Sequence, residues 1–293
     1  MDHPRFHELA ASVLLTVFAT TQVTAAEYRR DVTIWQEVTV PPSSEYLARG
    51  LWSYAANYAR FEWRVFAKSG QVHAQLTSEA PEEQRERPGF TPQVSGFRGA
   101  KAFAAVDDGW LVGFNQGEFG AALYWFSRDG LRNYEISDHH IVEFVSLPEG
   151  VCAIEGLAHL SLARGSMICM RRPSGGGRWQ ARTRMKFSSA PYAISIRRDG
   201  TMLITLSDAL VSIDPNRKLR TLLADAPWSD LYANSSVLSD DEQKLYIGMR
   251  QFVGEYDLET NRLRLLIPSD EFLNKLSAED EKNIRRQYDV LTR

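Results

Sequence analysis

Glu118 is the carboxylate best placed to do chemistry, because Gly117-Glu118-Phe119-Gly120 sets it in a loop whose glycines let backbone approach a ligand closely. Asn115 opens the same loop. A plainer reading has Gly113, Gly117 and Gly120 shaping only a bulge and a wide hairpin. Further on, Glu155 and His159 in Glu155-Gly156-Leu157-Ala158-His159 either flank a pocket or decorate a hairpin. Asn115, Glu118, Glu155 and His159 are therefore the expected ligand-binding residues, and no catalytic residue is assigned. Asp138-His139-His140 with Glu143 gathers nitrogen and oxygen donors in a short span, as a metal site would. On a strand, however, His139 and His140 point to opposite faces, and no second His pair exists to complete a shell. The reading is of no metal and no cofactor.

The motifs of common hydrolases and nucleotide enzymes are missing: no Gly-x-Ser-x-Gly elbow, no His-Glu-x-x-His, no phosphate-binding glycine loop and no acidic calcium loop. Ser174-Gly175-Gly176-Gly177 lacks the Lys-Ser/Thr of a phosphate loop and reads as a flexible hairpin tip. Lys plus Arg number 34 and Asp plus Glu 37, a net charge of -3, which gives no reason to expect nucleic acid as a partner. Arg171-Arg172 and Arg197-Arg198 read as solvated strand ends.

The elements that must position these residues follow a repeating plan. A tight turn precedes a short β-branched or aromatic run at Ser69-Gly70, Asp108-Gly109, Glu149-Gly150, Asp199-Gly200 and Asp241-Glu242-Gln243. The runs are Val72 to Leu76, Trp110 to Phe114, Val151 to Ile154, Met202 to Leu206 and Leu245 to Met249. A second turn follows at Gly130, Gly165, Asn216 and Asn261. A period of about 40 to 45 residues with four short strands is what propeller blades require, since one blade cannot bury both faces alone. The step Tyr256-Asp257-Leu258-Glu259-Thr260 before the last strand resembles that of the β-propeller repeat proteins, a likeness covering Phe61 to Ile267. It implies an all-β fold, a β-propeller of about five to six four-stranded blades with a short C-terminal helix. The Trp-Asp endings of the WD-repeat family are absent.

The domain plan is then a signal peptide over 1–26, an N-terminal segment over 27–60, blades over 61–267 and a helical tail over 268–293. The signal reading rests on the uncharged apolar run Leu9 to Ala19 and on small residues suiting cleavage after Ala25 or Ala26. Glu45 to Arg60 suits helix or strand. Ser78 to Pro92, rich in Pro and Glu, reads as a surface excursion. Ser277 starts a capping box for a helix with Ile284, Tyr288 and Leu291 on one face.

Cys152 and Cys169 are the only cysteines, and in an exported chain the pair invites a disulfide. The strand reading opposes it. A strand over Leu157 to Leu162 lies between them, which separates the two by about 9.6 Å, beyond the roughly 7 Å limit between Cα atoms. A Cys152–Cys169 bridge would mean that the strands here are misassigned.

The expected function is that of an exported, periplasmic or secreted, monomeric binding protein holding a protein or peptide partner on one propeller face. Trp110, Trp125, Trp179 and Trp228 support such a face only modestly, since most pack between blades. The alternatives are a metal-dependent hydrolase resembling the gluconolactonase and strictosidine-synthase-like propellers, with Asn115, Glu118, Glu155, Asp208 and Asn234 as candidate ligands, or a carbohydrate-binding propeller.

Overall fold

The computed structural model describes residues 31–42, 44–59, 61–77, 86–160, 162–274 and 276–291. The expected signal segment and residues 78–85 of the Pro- and Glu-rich excursion lie outside these. Among the described residues no helix is long and apolar enough to cross a membrane.

Among the described residues five antiparallel sheets follow one another along the chain. The first holds β2 (Trp63–Lys68) and β3 (Gln71–Leu76). The second holds β4 (Ala100–Val106), β5 (Gly109–Asn115), β6 (Ala121–Ser127) and β7 (Asn133–Ser137). The third holds β8 (Ile141–Leu147), β9 (Gly150–His159), β10 (Leu162–Arg171) and β11 (Gln180–Phe187). The fourth holds β12 (Pro191–Ile196), β13 (Met202–Leu206), β14 (Leu210–Ile213) and β15 (Leu219–Leu223). The fifth holds β16 (Ser235–Leu238), β17 (Lys244–Gly248), β18 (Val253–Asp257) and β19 (Arg262–Ile267), with the N-terminal β1 (Gln36–Val38) paired on β19. The first strand of each sheet, β2, β4, β8, β12 and β16, lines one central cavity, the arrangement of a β-propeller. Four strands per sheet does not hold for the first sheet, where the described residues form two.

The five tight turns read from the sequence each join the first strand of a sheet to its second. Side chains close two of them: the carboxylate of Asp199 accepts from the Thr201 N–H, and that of Asp241 from the Ser239 hydroxyl and the Gln243 N–H. Those donors hold both carboxyls below the usual carboxylate range. Neighbouring sheets meet closely at their inner edges. A Cβ on Gly113 would lie 2.7 Å from the Ile141 Cβ, and one on Gly248 would lie 2.5 Å from the Trp63 carbonyl oxygen. Only glycine lets the second sheet reach the third, and the fifth reach the first, at these distances.

The third sheet differs from its expected form. β9 runs unbroken through Leu157 to His159, turns at Leu160 (φ 52°) and returns as β10, so no strand separates the cysteines. Cys152 and Cys169 sit directly opposite each other across β9 and β10, and they form a disulfide with their Cα atoms 3.9 Å apart. Gly165, expected as a turn, is instead mid-strand and faces Gly156 in register. Both lie under Pro191, whose Cδ would be 2.2 Å and 2.6 Å from their Cβ atoms. The turn between β10 and β11 comes at Ser174–Gly176, at the predicted hairpin tip.

Residues left open between helix and strand form α1 (Tyr46–Asn57). Its buried face is Trp52 and Ala56, with Trp52 stacked on Phe252 at 5.2 Å. A one-turn helix α2 (Asp270–Leu273) and the C-terminal α3 (Ala278–Leu291) complete the fold. Ile284 and Tyr288 of α3 are buried, and the Tyr288 hydroxyl donates to the Gln251 carbonyl. Trp63, Trp35, Phe61 and Phe272 pack edge-to-face beside it, joining the first sheet to the C-terminal helices.

Closing the 17-residue separation of Cys152 and Cys169 should stabilise the chain by about 3 kcal/mol through the unfolded state. A Cys152→Ala/Cys169→Ala variant is expected to show a lower urea midpoint than the oxidised protein, with its extrapolated unfolding free energy reduced by about 3 kcal/mol. An unchanged midpoint would mean the bridge adds nothing to stability.

Candidate functional site

The first strands alternate side chains toward and away from the axis, and the inward positions at their starts build a cavity of about 610 Å³ at one mouth of the channel. Arg64 and Phe66 come from β2 and Gln75 from β3. Glu86 and Arg87 come from the segment before β4, Glu143 and Ser146 from β8, Tyr192 from β12, and Asn234 and Ser235 from the start of β16. Charges of both signs therefore face one space, together with amide and hydroxyl groups. Arg87 stacks over Phe103, its guanidinium carbon 5.9 Å from the ring centroid. Ser235 Oγ accepts from the Val65 N–H at 3.0 Å and donates to Asn234 Oδ1 at 2.9 Å, which ties the fifth sheet to the first and fixes the Asn234 amide. Asn234 Nδ2 is left buried with no hydrogen-bond partner among the described residues, an unused donor in the wall of a polar cavity.

The opposite mouth is different. Its cavity of about 480 Å³ is walled by Lys68, Arg198, Asp240 and Glu242 near the tight turns. Several of these charges engage each other: Arg198 pairs with Asp240 and Glu242, and its backbone N–H donates to Glu242 at 2.8 Å. Ser236 lines both cavities and shares a 2.8 Å hydrogen bond with Ser195 between them.

Tyr192 lies at the first mouth among Tyr232, Asp230, Asp208 and Arg250. Burial, and then the negative charge around it, push its phenol up to about 12. Arg250 covers the Tyr232 ring at 4.2 Å and bonds Glu62 at 2.9 Å and the Asn57 side chain at 2.9 Å, linking this edge of the mouth to α1.

The four residues expected from the sequence come together on the rim between the second and third sheets. Asn115 Oδ1 accepts from the Gly117 N–H at 3.0 Å, and its Nδ2 donates to the Ile141 carbonyl at 3.3 Å. The loop thus hangs on the strand whose next residues, Val142 and Glu143, enter the cavity wall. Glu118 and His159 face each other at 3.7 Å, both more than 40% exposed, an arrangement of small energetic weight. Glu155 is buried and accepts from the Ser166 hydroxyl. His140 is buried beneath the loop with Nε2 3.1 Å from the Gly117 carbonyl oxygen. A carbonyl only accepts, so the proton sits on Nε2. That leaves three buried polar atoms around the loop without partners among the described residues: Gln116 Nε2, His140 Nδ1 and Glu155 Oε2.

His139 turns away to Ser137 at 2.8 Å. Asp208 accepts from Ser189 at the turn after β13, apart from the rim loop, and Asn234 stands at the mouth. Among the described residues no three His, Cys, Asp or Glu side chains gather as metal ligands would. The tryptophans serve packing: Trp125 and Trp179 both donate to Asp108 Oδ1 at 3.1 Å, and Trp228 is fully buried.

Arg64, Glu86, Arg87 and Tyr192 are not among the residues that the sequence points to. Arg64 and Tyr192 lie in the strands before the tight turns, whereas the turn-plus-strand repeat follows the strands after them. Glu86 and Arg87 fall in the segment Ser78 to Pro92, expected as a surface excursion, and instead line the cavity. The usable signal was alternation within the preceding strand, as in Arg64 and Phe66.

No family model and no curated protein matches the chain. Among solved structures it is similar to a virginiamycin B lyase from Staphylococcus aureus with quinupristin, at 14% identity, covering 61% of this chain and 59% of that one, with a TM-score of 0.41. A gluconolactonase from Xanthomonas campestris is similar at 12% identity, 61% of each chain and a TM-score of 0.36. The extracellular domain of a one-component system from B. thetaiotaomicron is similar at 11% identity, covering 80% of this chain and 29% of that one, with a TM-score of 0.41. The chain spans less than two thirds of the length of the lyase structures. At these scores the likeness does not bear on substrate or chemistry.

The raised Tyr192 phenol has a consequence at high pH. A folded-state value of about 12 against an unfolded value near 10 means the folded chain holds the proton longer. The contribution is fully present below about pH 10 and is lost as pH rises toward 12. Tyr192→Phe should therefore lose less stability than the parent between about pH 10 and 12 in urea titrations. Parallel curves for the two proteins would count against this environment for Tyr192.

Proposed function

We propose that the chain is an exported binding protein that takes a peptide segment of a protein partner into the channel mouth bordered by Arg64, Arg87, Glu86 and Glu143. The observation that carries this reading is the cavity of about 610 Å³ walled by charges of both signs and by an Asn234 amide with a free donor. A peptide offers alternating N–H donors and carbonyl acceptors together with side chains of either charge, and such a wall answers each of them. The rim loop at Asn115 to Gly120 and the Tyr232–Arg250 edge frame the mouth and give a longer segment further surface. Export is supported by the signal-like run Leu9 to Ala19 and by the disulfide, since such bridges persist in oxidising compartments. Five sheets around one cavity support a five-bladed ring with β1 completing the last blade.

Selection of displayed random peptides on residues 27–293 tests the reading. Enriched peptides are expected to bind with affinity that Arg64→Ala and Asn234→Ala each weaken by about tenfold or more, equivalent to about 1.4 kcal/mol. Failure to enrich any peptide, or peptides that bind both variants as well as the parent, would overturn it.

A further inference from the structure

Among the described residues, α1 and its last turn carry the longest series of exposed large hydrophobic side chains. Tyr46, Leu47, Leu51, Tyr54 and Tyr58 are 83%, 78%, 71%, 64% and 65% exposed. From Leu47 onward they recur at steps of four, three and four, which places them on one stripe of the helix and its last turn. The periodicity legible in the sequence thus marks the outward face, while Trp52 and Ala56 bind the helix to the protein. No charge interrupts the stripe. Arg49 is turned back, donating to the Pro41 carbonyl at 3.1 Å with its guanidinium 5.3 Å from the Trp52 ring centroid. At roughly 170–210 Å² for each side chain, the exposed part of the four stripe residues comes to about 520 Å². This lies at the upper end of the roughly 300–600 Å² of the largest patch on a typical monomer and supplies about two thirds of the roughly 800 Å² that each partner gives to a standard interface.

We infer that α1 is the contact element of a two-fold symmetric homodimer, with a second copy of this chain as the occupant of the stripe. A two-fold contact requires a patch that complements itself, and α1 meets that condition in one antiparallel register. Laying Leu51 of one copy against Tyr54 of the other also sets Leu47 against Tyr58 and Gly50 against Ala55. Every large aliphatic side chain then meets an aromatic ring, and the small residues coincide. A Cβ on Gly50 would meet nothing within 4 Å, so the surface is low where the second helix must come near. Tyr54 and Tyr58, with ring centroids 4.5 Å apart, already form a common wall for the opposing leucines. A membrane surface fits less well. Helices that adsorb to lipid carry several basic side chains beside the apolar face, whereas α1 holds one arginine, directed inward, on a chain of net charge -3. The inference departs from the monomer expected from the sequence and stands independently of the channel mouth.

Sedimentation equilibrium of residues 27–293 from 1 to 100 µM tests the dimer. The expected result is a mass rising from one chain to two across this range, with Leu51→Glu weakening the association at least tenfold. Because Leu51 is exposed, the variant should keep its circular dichroism melt. Both native cysteines are bonded to each other, so introduced cysteines report the register. A mixture of Leu51→Cys and Tyr54→Cys is expected to cross-link on oxidation more completely than either variant alone. A single-chain mass up to 100 µM overturns the proposal. So does cross-linking with no preference for the mixture. Flotation of a single-chain protein with phosphatidylglycerol–phosphatidylethanolamine vesicles, abolished by Leu51→Glu, would assign the stripe to lipid and likewise overturn it.

Discussion

The structure depends on how closely neighbouring sheets approach at their inner edges. Sheets set around an axis must converge there, and side chains of ordinary size would hold them apart. Gly113 beneath Ile141, the facing pair Gly156 and Gly165 beneath Pro191, and Gly248 against the Trp63 carbonyl remove the obstructing carbon at three of the junctions. At the junction of the fourth and fifth sheets a hydroxyl pair, Ser195 with Ser236, provides a polar contact instead. The width of the channel follows from these contacts, and so does the cavity at its mouth. Small residues at the junctions leave the starts of the first strands to carry the long polar side chains Arg64, Glu143 and Tyr192.

The same constraint explains what was legible in the sequence. The tight turns at Ser69-Gly70, Asp108-Gly109, Glu149-Gly150, Asp199-Gly200 and Asp241 to Gln243 were read because turn chemistry is local. An aspartate side chain reaches an N–H two residues on, and the pattern needs no knowledge of the rest of the chain. Gly165 reads as a turn in the sequence because a glycine required by a distant proline looks the same there as one required by a turn. Moving that turn placed an imaginary strand between Cys152 and Cys169, and the argument against their disulfide followed from it. Which face of α1 is buried is equally hidden in the sequence. A 3.6-residue period shows that a helix has two faces, but which face meets the core is decided by Phe252, nearly 200 residues away.

The rim loop shows the converse case, where local reasoning selected residues that are brought together over longer distances. Asn115, Glu118, Glu155 and His159 stand out in the sequence one by one, through glycine neighbours and acidic or imidazole chemistry. They meet because β5 and β9 lie in adjacent sheets and end at the same side of the ring. His140, dismissed with its neighbour as an inadequate chelator, proves to be the residue that anchors the loop through the Gly117 carbonyl. Its buried Nδ1, with Glu155 Oε2 and Gln116 Nε2, leaves the loop seated on unsatisfied polar atoms. Each such atom costs about 1–3 kcal/mol when left dry. The cost falls when water or a ligand group supplies the missing partners.

Two surfaces of opposite character thus sit on one scaffold, and the scaffold accounts for the division between them. The channel mouth collects charge and amides because the inward faces of the first strands border open space rather than a neighbouring sheet. Apolar side chains there would leave a dry void or close it. The outer side of α1 faces no sheet, so its composition is unconstrained by the ring. Tyr46, Leu47, Leu51, Tyr54 and Tyr58 contribute nothing to the core that Trp52 and Ala56 do not already supply. Folding alone would be served as well by lysine or glutamate at those five positions, which would also keep the surface soluble. An apolar stripe of this size, uncharged and self-complementary in one register, is explained by a contact outside the single chain.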